Sequence, residues 1–68
     1  MYMEWVPITE AKPKDYARLI VTLSTQEGNT VCEGFYLHGI FKFIDNNRFK
    51  EFYDPVIAWM HMPEPYKN

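Results

Sequence analysis

The sequence predicts a small, mainly β domain. Its expected form is a twisted antiparallel sheet of four or five strands, curled toward a half-open barrel, with at most one short helical turn. Three observations predict it. Leu19, Val21 and Leu23 alternate with Arg18, Thr22 and Ser24, the period of two that half-buries a strand. Prolines near the two ends, glycines in the middle, and β-branched and aromatic residues between them disfavour helix nearly everywhere. Finally, 68 residues of which 47% are hydrophobic are too apolar for disorder and too few for more than one domain, residues 1–68.

The elements follow in order. Trp5-Val6-Pro7-Ile8 reads as a short extended segment, a strand end or edge, because Pro7 lacks an amide donor. Glu10 to Asp15 is a polar loop. Tyr16 to Ser24 is the clearest strand, and Ile20 on its second face argues that this face is not fully wet. Gln26 to Asn29 is a turn in which Gly28 takes positive φ without a Cβ clash. Thr30 to Leu37 is a second strand. Val31, Phe35 and Leu37 share one of its faces, interrupted by Glu33; Cys32, Gly34 and Tyr36 share the other. His38-Gly39 is a two-residue turn that returns the chain as Ile40 to Ile44. Asp45-Asn46-Asn47 ends that strand. Arg48 to Asp54 has two readings: Phe49, Phe52 and Tyr53 have the spacing of one helical turn, or they fold as a loop over an open sheet end. Val56 to Met62 is the last strand, with Val56, Ala58, Met60 and Met62 on one face and Ile57, Trp59 and His61 on the other. Both faces are largely apolar, so a central or covered strand is expected. Pro63-Glu64-Pro65 stops it.

Composition removes several function classes. A core this small seldom supplies more than about 3–5 kcal/mol without a staple. Cys32, the single cysteine, forms no internal disulfide, which excludes the secreted disulfide scaffold. No run of about 18 apolar residues crosses a membrane as a helix. The start, Met1-Tyr2-Met3-Glu4-Trp5, has no basic region leading an apolar stretch, so a cytoplasmic protein is expected. The staples left are dense aromatic packing and oligomerisation, hence an expected homodimer.

The two ends carry a resemblance. The first motif is Glu4-Trp5-Val6-Pro7-Ile8, followed by Glu10, Pro13, Asp15 and Leu19-Ile20-Val21. The second is Val56-Ile57-Ala58-Trp59-Met60-His61-Met62-Pro63-Glu64-Pro65, with Gly34-Phe35-Tyr36, Gly39 and Phe41 between the two. The chain resembles the domain-of-unknown-function family 551 of phages, prophages and bacteria. The closing Trp-Met-x-x-Pro-Glu-Pro is the most specific part. Lys12, Tyr16, Ala58 and His61 depart from that family's pattern. At Ala58 the family usually has histidine, so no role of that histidine carries over. The resemblance implies a small phage-type protein and no activity.

Chemistry-bearing residues are few. Trp5 and Trp59 read as core anchors joining the chain ends, since each buries about 150–250 Å². Met60, His61 and Met62 suit copper(I) by donor type, but alternation turns His61 away from both methionines. His38 and His61 lack metal-ligand spacing, and no cofactor motif is present, so neither metal nor cofactor is expected. Cys32 in mid-strand reads as a small apolar side chain rather than a nucleophile paired with His38. Glu33 is expected to pair with Arg18 or Arg48, because an unpaired charge on an apolar face is costly. No catalytic constellation emerges, so a non-enzymatic protein is expected.

Two binding readings stay open. One is a protein partner, a host-defence component among them, engaged through an aromatic or edge-strand surface. The other is single-stranded nucleic acid, bound by the Phe41–Tyr53 region through charge and stacking. The overall charge of −2 weighs against the second. For either, the partner-binding residues expected are Phe41, Phe49, Phe52, Tyr53, Arg48 and Lys50.

Overall fold

The computed structural model of the chain describes residues 4–63 together with Pro65 and Tyr66. Met1 to Met3, Glu64, Lys67 and Asn68 lie outside the described residues, and with them the central residue of the closing Pro-Glu-Pro motif. The fold is all-β. Six strands, β1 (Val6–Pro7), β2 (Ala17–Thr25), β3 (Gly28–Leu37), β4 (Ile40–Asp45), β5 (Arg48–Glu51) and β6 (Val56–His61), form one antiparallel sheet. Its order is β1-β6-β2-β3-β4-β5, an open sheet with β1 and β5 at its edges.

β5, a strand beyond the four or five expected, corrects the sequence reading of Arg48 to Asp54 as a helical turn or loop. Asn46 and Asn47 both adopt positive φ, 51° and 62°. Asparagine tolerates that region, and two such residues in succession build the hairpin turn whose twist matches its strands. The turn sets Asp45 opposite Arg48 and launches β5, so Phe49 alternates in a strand instead of stacking on a helical turn. His38 and Gly39 make the same kind of turn between β3 and β4, with φ of 52° and 83°. The expected hairpin there is present.

Register decides which face is the core. Leu19, Val21 and Leu23 of β2 lie opposite Gly34, Cys32 and Thr30 of β3, and opposite His61, Trp59 and Val56 of β6. Cross-strand partners share a face, so these residues, with Tyr36 and Phe41, build one side of the sheet. Leu19 and Val21 are fully buried, and Leu23, Tyr36, Val56 and Trp59 nearly so. The β6 pairing shifts register between Thr22 and Leu23, which places Val56 on the Trp59 face. Strict alternation from the sequence places Val56 with Ala58 and Met60 instead.

Two segments cover this core face. The chain from Ile8 to Tyr16 crosses it, with Pro13 buried and the Ala11 carbonyl accepting a 3.0 Å hydrogen bond from Trp59 Nε1. Phe52 folds down onto Gly34. Trp59 is therefore a core anchor, as expected, but Trp5 is 41% exposed and is not. The chain ends are joined by backbone pairing instead, Val6 opposite Trp59 and Pro7 opposite Ala58. The other face carries Ile20, Val31, Phe35, Leu37, Ile40, Ile44, Phe49 and Met60, with Arg18, Glu33, Lys42 and Glu51 among them. The two covering segments leave this face open. No described helix is long and apolar enough to cross a membrane.

Candidate functional site

The two formal edges of the sheet are guarded. β1 is only two residues long and ends in Pro7; β5 is short and carries Arg48 and Lys50. Short length, proline and cations are the usual devices against unwanted pairing. A third edge lies inside the sheet and is not guarded in this way. β4 pairs with β3 only at Phe35, Tyr36 and Leu37, although β3 begins at Gly28. Beyond Lys42 the β4–β5 hairpin leaves the β3 ladder.

Hydrogen-bond direction shows which groups this leaves open. The Tyr36 carbonyl accepts from Tyr16 N at 2.6 Å, on the β2 side. Arg18 O and Ser24 N instead face the β6 side, accepting from Met62 N and donating to Pro55 O. Alternation then points the even-numbered residues of β3 at β2 and the odd-numbered ones away. Among the described residues, the N–H and C=O groups of Asn29, Val31 and Glu33 therefore form an unpaired ladder edge.

Beside that edge runs a groove of about 650 Å³ lined by Arg18, Cys32, Glu33, Phe35, Phe43, Ile44 and Phe52. Its lining is mostly apolar. Phe43 and Phe52 pack against each other with ring centroids 5.0 Å apart. Arg18 Nε donates to Glu33 Oε2 at 2.6 Å across the rim, the pairing expected for Glu33. Both side chains are about half exposed or more, so the pair neutralises the rim rather than stabilising the fold.

The residues expected to bind a partner do not converge on one surface. Phe41 packs against Tyr36 at 4.8 Å on the core face, and Phe52 covers Gly34. Phe49 lies on the opposite face, edge-on to Phe35 at 5.5 Å. Tyr53 is almost wholly exposed on the bend after β5, beside the Gln26-Glu27 turn. Lys50 donates to Asp45 at 2.8 Å, and Arg48 is exposed on β5. Phe52 alone of this set lines the groove. Val31, Ile44 and Phe35, absent from that set, stand at the edge and the groove. The signal that could have found them is Asn46-Asn47. Read as a turn, it makes Arg48 to Glu51 a strand and turns Ile44 outward with Phe49.

Cys32 is half-buried, and that burial pushes its thiol pKa up. His38 is engaged elsewhere, its Nε2 lying 3.3 Å from the Tyr16 hydroxyl. A neutral thiol is a poor nucleophile, so we expect alkylation of Cys32 at about pH 8 to be slower in the folded protein than in the urea-unfolded chain. Equal rates, followed by mass spectrometry, would contradict the burial. His61 lies on the Trp59 face with its ring edge-on to the indole at 5.4 Å, whereas Met60 shares the opposite face with Ile20. Among the described residues no group of three His, Cys, Asp or Glu is placed to hold a metal ion. No family model matches the chain, and neither a curated protein nor a solved structure matches it.

Proposed function

We propose that this is a non-enzymatic binding protein, of the phage type its sequence resembles, that takes an extended segment of a protein partner onto the open edge of β3. The observation that carries this reading is the outward ladder of Asn29, Val31 and Glu33 next to an apolar groove. An added strand gains main-chain hydrogen bonds from the edge, while alternate side chains enter the groove. The phage resemblance suggests a host protein as the partner, a defence component among the candidates. The nucleic-acid reading has less support. It needs a shared stacking platform in the Phe41–Tyr53 region, but Phe41, Phe43 and Phe52 pack on the core side, exposed Phe49 lies on the opposite face against Phe35, and exposed Tyr53 stands apart on the bend after β5.

Val31→Pro tests the edge. The Val31 N–H points away from β2, so proline removes no ladder bond of the folded protein. It removes a donor from the open edge and places a ring in the path of an incoming strand. The wild type should capture a specific protein from a bacterial lysate, and V31P should weaken that binding by at least about tenfold with its far-ultraviolet spectrum unchanged. Equal capture by both, or no specific capture by the wild type, overturns the proposal. Anisotropy with single-stranded DNA and RNA at low salt decides the alternative: binding at tens of micromolar would favour it.

A further inference from the structure

We infer that the open face of the sheet is where two copies of this chain meet, packed sheet on sheet through Phe35, Ile40, Ile44 and Phe49. This concerns the face, whereas the proposed function concerns the β3 edge. Phe35 and Ile44 border both the groove and this face, so V31P and the face variant below separate the two readings.

The chain exposes 5589 Å². A folded monomer of 8.2 kDa is expected to expose about 4,500 Å². The surplus is about 1,000 Å², to which the exposed chain end around Tyr66 contributes part. One side of a standard protein interface buries about 800 Å². The rest of the surplus is in keeping with a sheet that has one face uncovered.

A sheet is stable when its apolar face is covered by another layer. The core face has its cover in Pro13, Ala11 and Phe52. On the open face Val31, Ile40, Ile44 and Phe49 are 57, 40, 52 and 50% exposed, around a half-buried Phe35. Sheets that pack face to face bring such residues together across about 10 Å.

The charge balance of the face suits a second copy as the occupant. The charged residues on this face are Arg18, Lys42, Glu33 and Glu51, two of each sign. A two-fold axis brings a surface against itself, which a single-sign face resists and a balanced one permits. Among the described residues the core is six side chains, with no disulfide to staple it, and an identical chain is always present to supply a further layer.

The test is solution mass by light scattering. At about 100 micromolar the wild type should have a mass of about 16 kDa, twice the 8.2 kDa chain. Ile44→Lys with Phe49→Lys places cations on two half-exposed positions. This double variant should be monomeric, with a cooperative melt and a dissociation constant raised at least about thirtyfold. Should it not fold, Ile40→Glu replaces it, with the same expectation. A wild-type mass of 8.2 kDa overturns the inference. So does a dimer that survives the folded face variant. A dimer lost in V31P but kept in the face variant also overturns it, because the seam would then be the β3 edge.

Discussion

Trp59→Ala should leave the chain largely unfolded at room temperature. Removing a buried tryptophan costs about 3–5 kcal/mol, and a core of this size seldom supplies more than that in total. Trp59 is 7% exposed and stands at a junction. Its backbone pairs with Val6 on one side and Val21 on the other. Its ring lies under the Ile8–Tyr16 segment and donates to the Ala11 carbonyl. Truncation removes the support of that segment as well as the ring. Trp59→Phe separates the two contributions. Phenylalanine keeps most of the apolar area but no donor, leaving the Ala11 carbonyl to water, so the hydrogen-bond share is about 0.5–1.5 kcal/mol. The melting temperature should then fall by about 4–8 °C per kcal/mol. Urea titration followed by circular dichroism reads both. A W59A variant that unfolds within about 1 kcal/mol of wild type would show that the indole is not the anchor.

The sheet was legible in the sequence wherever alternation was regular. β2 announces itself through Leu19, Val21 and Leu23, and β3 and β4 through the runs around His38-Gly39. Two features hid the rest. Asn46-Asn47 makes a tight turn without glycine, so β5 reads as a continuation of a loop. The bulge in β6 breaks the period of two, so Val56 changes face without any change in composition. The harder ambiguity is in β3. Its more apolar face is Val31, Phe35 and Leu37, yet the core side is Cys32, Gly34 and Tyr36. Hydrophobicity alone selects the wrong face. The deciding fact is a contact between residues 18 positions apart: Phe52 supplies the bulk that Gly34 lacks. Glu33 is tolerated because it sits on the open face, paired with Arg18. For the same reason the groove was hidden. It arises where β4 leaves β3, and a departure between two good strands leaves no trace in either strand's pattern.

That contact yields the second strong expectation, that Gly34→Val destabilises the protein by about 2–4 kcal/mol. A Cβ at Gly34 stands 3.2 Å from two ring carbons of Phe52 and 3.2 Å from the Lys42 carbonyl. The ring can retreat, but the carbonyl belongs to the last residue pair joining β3 to β4 and has little freedom. Valine therefore lifts Phe52 off the core or parts the strands. Alanine asks for only a few tenths of an ångström and recovers about 0.5–1 kcal/mol of the entropy that glycine forfeits in a strand, so its net effect should be smaller. The pair can be tested as a unit. Phe52→Ala alone leaves a gap above Gly34, whereas valine at 34 partly fills it. The double variant G34V/F52A should cost less than the sum of the singles by at least about 1 kcal/mol. Additivity within about 0.5 kcal/mol would mean the two residues do not share the space. Phe52 also lines the groove, so Gly34→Ala offers a functional reading on a protein that still folds. On the proposed binding at the β3 edge, a ring displaced by a few tenths of an ångström should weaken capture of the partner while leaving the light-scattering mass unchanged, because Gly34 and Phe52 lie on the opposite side of the sheet from Ile44 and Phe49.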